Sequence, residues 1–168
     1  VAGALTVGTF TAATALLRSG ADMTLTKGTT TGVLTTSSLG SGSLGNLTSG
    51  GQLTSDATGA MTVTSAKGTV LDMSAGTGLT AGTLTSTTGK IDVDSAAGLL
   101  KITTATAKTL LDVQASAGDL SVSKFTAASA ALVSGNDMAV TTGTTAGEML
   151  ATVGRNATLG SLTSSADK

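Results

Sequence analysis

Residues 5–11, Leu-Thr-Val-Gly-Thr-Phe-Thr, return as Met-Thr-Leu-Thr-Lys-Gly-Thr at 23–29, as Gly-Ser-Leu-Gly-Asn-Leu-Thr at 42–48 and as Met-Thr-Val-Thr-Ser-Ala-Lys at 61–67. Written at this spacing of about 19 residues, the chain resolves into vertical columns, the signature of a repeat architecture. The column Val7, Leu25, Leu44, Val63, Ala81, Ile102, Val122, Val140, Leu159 is apolar in every one of nine units. The column two residues earlier runs Leu5, Met23, Gly42, Met61, Leu79, Leu100, Leu120, Met138, Ala157, so each unit reads in-out-in, the period of a half-buried strand.

Three residues after the first column stand Phe10, Gly28, Leu47, Ala66, Leu84, Ala105, Phe125, Gly143 and Leu162. Large and small alternate without exception. In a narrow core where each unit lies on the next, a bulky side chain needs a small one above and below it to reach native packing density. That requirement makes the longer repeat two units, with steps of 37, 37, 41 and 37 residues from Phe10 to Leu162. A further apolar column is read as Leu17, Leu34, Leu53, Leu71, Ile91, Leu111, Leu132, Leu150, giving each unit at least two strands. Clusters such as 27–32 and 40–45 suit turns. The Ala-rich pieces Ala12–Leu17 and Ala127–Leu132 fall on repeat positions that are non-helical elsewhere, so they read as strand and turn.

These columns predict an all-β parallel solenoid over residues 1–168, with about nine rungs of about 19 residues. The irregular unit length favours a right-handed β-helix over the strict six-residue period of the left-handed kind. Stacking at about 4.8 Å per rung makes a rod of roughly 43 Å. The chain has no Pro, as a continuous ladder of backbone donors requires. Neither Val1–Leu5 nor Ser161–Ser164 looks like a polar cap, so a segment cut from a longer shaft, or protomers stacked end to end, is expected.

Composition limits function. With no His and no Cys, the usual nucleophile–base pairs, zinc sites and disulfides are missing, and a net charge of −1 gives no basic footprint for nucleic acid. No apolar run is long enough to span a bilayer. Gly40-Ser41-Gly42-Ser43-Leu44-Gly45 has the spacing of a dinucleotide fingerprint, but Leu44 belongs to the core column and no helix is expected after it. Ser121 and Lys124 have the spacing of an acylating Ser-x-x-Lys, with companion motifs missing and Val122 pointing inward between them. Gly89-Lys90 ends in Ile91 where a phosphate loop needs a hydroxyl. The neighbours Asp92 and Asp94 are the only close carboxylate pair a glycosidase could use. No enzyme and no cofactor is expected.

Two surface columns remain. Asp72, Asp92 and Asp112 each follow a core residue at intervals of 20, so they should stack on adjacent rungs. Carboxylates about 4.8 Å apart repel by roughly 0.9 kcal/mol even at the dielectric constant of water. Lys90, Lys101 and Lys108 are the expected neutralising neighbours, and a weak divalent-cation site is the alternative. Threonine columns raise ice binding as a further function. The column Thr6, Thr24, Ser43, Thr62, Thr80, Lys101, Ser121, Ala139, Thr158 is broken by Lys101 and Ala139. The column Thr11, Thr29, Thr48, Lys67, Thr85, Thr106, Thr126, Thr144, Thr163 is regular but reads as single, so no flat array is expected.

The blocks Gly-Ala-Leu-Thr-Val at 3–7, Ala-Asp-Met-Thr-Leu-Thr at 21–26, Gly-Thr-Val-Leu-Asp-Met-Ser-Ala-Gly at 68–76 and Gly-Asp-Leu-Ser-Val at 118–122 resemble the repeats of filamentous haemagglutinin-type exoproteins of two-partner secretion, adhesins and contact-dependent inhibition toxins among them. The resemblance covers the whole chain. It implies the shaft of a protein secreted to the bacterial cell surface through an outer-membrane β-barrel partner, holding a distal binding or toxin domain away from the cell. The alternative is a filament built by end-to-end stacking.

Overall fold

A computed structural model describes residues 1–165; the last three residues of the expected 1–168 segment lie outside it. Every coil contributes a long strand and a short one, beginning with β1 Leu5–Ala12 and β2 Ala15–Ser19, continuing with β3 Met23–Thr30 and β4 Leu34–Ser38, and ending on β17 Ala157–Ser164 in the ninth coil. The long strands form one nine-stranded parallel sheet and the short strands one eight-stranded parallel sheet. The chain is a β-solenoid of eight complete coils with the long strand of a ninth stacked on them.

All three long-strand columns stack as read. Val7 pairs with Leu25, Leu25 with Leu44, and so on to Val140 with Leu159. The alternating column also holds, with Phe10 over Gly28 and Phe125 over Gly143. A Cβ added at Gly28 would lie 2.7 Å from Phe10 Cε1, and one at Gly143 would be closer still to the Phe125 ring and 2.9 Å from Leu162 Cδ2. The glycines therefore supply the room the rings fill.

The two-then-three spacing of these columns has a structural cause. In β13, Leu120–Ala127, the inward side chains are Leu120, Val122, Phe125 and Ala127, so Ser123 and Lys124 point outward in succession. The same double outward step recurs in other long strands, as at Gly8 and Thr9. This double outward step marks the line along which the long-strand sheet changes direction. At the bend the coils come very close. A side chain at Gly45 or Gly82 would run into the carbonyl oxygen of Thr26 or Thr64 in the coil before.

Three expectations are corrected. The short-strand column is Ala15, Leu34, Leu53, Leu71, Ile91, Leu111, Ala130, Met149. Leu17 and Leu132 sit two residues further along, a shift that keeps them inward, whereas Leu150 sits one residue off and is 54% exposed, because a one-residue step in a strand changes faces. The segments 27–30 and 42–45 are strand, and the turns lie at 31–33 and 39–41. Finally, Leu159 occupies its column but is 46% exposed, and Leu5, Val7, Phe10 and Leu162 are only partly buried, because the first and ninth coils are covered on one side. The two Ala-rich pieces are strand and turn, as expected.

Hydroxyls close the turns. Ser86 donates to Thr69 O and Gly89 O, and Ser134 to Gly118 O and Asp137 O. Buried carbonyls left open by the bending chain are satisfied this way. Among the described residues no buried side-chain polar atom lacks a partner.

Candidate functional site

The outward face of the short-strand sheet carries the acidic ladder. Asp72 pairs in register with Asp92, and Asp92 with Asp112. A second column two residues along holds Asp56, Ser74, Asp94 and Gln114, so five carboxylates share four successive strands. Asp56 escaped the sequence reading, although its place two residues after Thr54 in a repeated strand marks the same face. Partial burial pushes the Asp56, Asp94 and Asp112 carboxyls above the usual carboxylate range, and neighbouring carboxylates push in the same direction.

One lysine answers this field. Lys90 Nζ donates to Asp92 Oδ2, and that bond, followed by the charges of Asp92, Asp72 and Asp112, raises the ammonium pKa. The other two expected cations are placed differently. Lys101 stands on the long-strand sheet between Thr80 and Ser121. Among the described residues Lys108 forms no ion pair, the pairs being Lys90–Asp92 and Arg155–Asp137. The ladder is linear, and among the described residues no three Asp, Glu, His or Cys side chains converge on a point where a metal ion could sit.

The sign of the pH dependence follows from the raised carboxyls. A group that binds its proton more tightly folded than unfolded favours the fold at low pH, and this contribution is lost as pH rises through the window above the ordinary Asp value. Between pH 7 and pH 4.5 the Tm is therefore expected to rise. The rise is a few degrees, since exposed charges contribute at most about 1 kcal/mol and that moves the Tm of a chain this size by about 2–4 °C. The variant Asp94→Asn should flatten the profile in a calorimetric series. A wild-type Tm that falls over this interval while Asp94→Asn falls equally would contradict it.

An open groove of about 390 Å³ lies on the other sheet, lined by Lys101, Ser121, Asp119, Asp137 and Asn156, with exposed Leu99 at one end. Its carboxylates are already engaged. Asp119 Oδ1 accepts the Asp137 N–H at 3.2 Å, and Asp137 Oδ1 accepts the Asn156 N–H at 3.2 Å and its Nδ2 at 3.0 Å. The same stitch joins Asp22 Oδ1 to the Ser41 N–H at 2.7 Å. These bonds tie one coil to the next.

The catalytic spacings dissolve into strand. Gly42–Ser49 is a strand with Leu44 buried in it, Ser121 and Lys124 lie on opposite sides of the bend, and Lys90 is paired with Asp92.

The last feature is a grid of hydroxyls. Beside the column headed by Thr11 runs a second column, Thr9, Lys27, Asn46, Ser65, Thr83, Thr104, Lys124, Thr142, Ser161, paired in register from coil to coil. The Thr11 column is thus not single. The bend hides its partner from a simple alternation, because the strand makes two outward steps in a row before Phe10. From the fifth coil to the ninth the two columns read Thr83, Thr85, Thr104, Thr106, Lys124, Thr126, Thr142, Thr144, Ser161 and Thr163, with Lys124 alone lacking a hydroxyl.

No helix among the described residues is long and apolar enough to cross a membrane. Set against models of protein families, curated proteins and solved structures, the chain matches none of them.

Proposed function

We propose that this chain is a spacer: the rigid shaft of a secreted, surface-exposed bacterial adhesin or contact-dependent inhibition exoprotein, exported through an outer-membrane β-barrel partner, that keeps a distal domain away from the cell. The observation that supports it is the unbroken register of both sheets through every coil. Each coil contributes the same backbone ladder and the same inward columns, so length is set by the number of coils and stability by contacts between neighbours. A spacer needs this property and little else from its surface.

The test exploits the absence of cysteine. Spin labels at Thr9→Cys and Ser161→Cys, which share one column eight steps apart, should give a single narrow distance near 38 Å, from about 4.8 Å per step. Deleting residues 45–81 removes one two-coil repeat and joins Leu44 to Gly82, the equivalent of Gly45. The shortened chain should fold and bring the labels about 10 Å closer. A broad distribution in the parent chain, or loss of folding on deletion, would sink the spacer reading.

A further inference from the structure

We infer that the hydroxyl grid of coils five to nine is an ice-binding surface. A flexible or freely diffusing ligand has no use for a rigid repeat, but a solid lattice presents the same repeat back. The grid spacing is set by the backbone, at about 4.7–4.9 Å from coil to coil and about 6.6–6.8 Å across the two columns. Water linked tetrahedrally by bonds of about 2.75 Å repeats at about 4.5 Å within a layer and at about 7.3 Å along the layer-stacking direction. The misfit along the rod is about 0.3 Å per coil, or about 1.2 Å over the four steps from coil five to coil nine, well under half a lattice step and within the swing of a threonine side chain.

Three further observations agree with an ordered water surface. Thr83, Thr85, Thr104, Thr106, Thr126 and Thr144 are exposed or partly exposed, and among the described residues none of their hydroxyls has a protein partner, in contrast to the buried hydroxyls of the turns. Each threonine brings a methyl beside its hydroxyl, so the face can order water around apolar groups while bonding to it. No carboxylate lies in either column. The parallel ladder beneath holds the side chains in place before ice is met, so little ordering entropy remains to oppose binding.

The proposal is tested at millimolar protein by crystal shape and by the gap between freezing and melting points, using the full chain. Wild type should facet growing ice and open a measurable gap. Thr106→Lys plants a second charge within the grid and should narrow the gap about twofold or more, because an unpaired charge against a regular surface repels it. Thr54→Lys, on the outward face of the other sheet, should leave it unchanged. Lys124→Thr completes the grid and should widen the gap about twofold, since it removes that same repulsion. Circular dichroism confirms that each variant folds. Unfaceted ice from both wild type and Lys124→Thr would overturn the inference, as would equal losses in Thr106→Lys and Thr54→Lys. Retention on crystalline cellulose without any effect on ice would overturn it too, in favour of a glycan surface.

Discussion

Truncating Phe125 to Ala should cost about 3–5 kcal/mol and lower the Tm on the order of 10 °C. Phe125 is 1% exposed, lies between Ala105 and Gly143, and its ring fills the room that Gly143 leaves. The reciprocal change also destabilises. Gly143→Ala places a methyl against the ring and 2.9 Å from Leu162 Cδ2, an overpacking worth about 1–3 kcal/mol. The double variant Phe125→Leu/Gly143→Ala should recover most of the loss, because it rebuilds an arrangement the protein already uses. Leu84 stacks between Ala66 and Ala105, with all three buried. Chemical denaturation of the two single variants and the double gives the coupling energy directly. Strict additivity would mean that the size alternation is not what packs the core.

The same column carries much of the fold in the sequence itself. Phe over Gly and Leu over Ala were legible because a contact between coils is also a fixed step in the sequence. The bend was present too, as the change from a spacing of two to a spacing of three between Leu5, Val7 and Phe10. Its consequence was not, since only the register of the fold shows that the Thr9 and Thr11 columns run side by side on one outward face. Coils of unequal length blur the count across turns, so hydrogen-bond register alone separates Leu17 and Leu132 from positions two away on the same face, and Leu150 from Met149 one residue away on the other. Exposure in the first and ninth coils was invisible for another reason: a column marks which way a residue points, and burial depends on what lies above it. The acidic ladder was placed correctly, but its neutralising lysine was one of three on offer, and Lys101 proved to belong to the other sheet.

Leu84→Asp should be the most damaging single change, unfolding the middle of the rod at neutral pH, whereas Leu162→Asp should be tolerated. Leu84 in β9, Leu79–Ser86, is 0% exposed and touches coils on both sides, while Leu162 in β17 is partly buried with a coil on one side only. An unpaired carboxylate in the first position loses its hydration and replaces a packed side chain, at a cost of about 4–5 kcal/mol or more. Because coils are coupled mainly to their neighbours, damage at the fifth coil weakens two interfaces and separates the rod into two shorter stacks, each of which must hold together alone. Damage at the ninth weakens one and leaves eight coils in contact. Hydrogen exchange distinguishes the two patterns. Leu84→Asp should lose amide protection on both sides of 79–86, and Leu162→Asp only toward 138–164. Lowering the pH should restore part of the protection in Leu84→Asp, since a buried carboxyl takes up a proton more readily than a hydrated one. Were the two variants to lose protection equally and throughout, the rod would be a single cooperative block, and adding or removing coils could not set its length as a spacer requires.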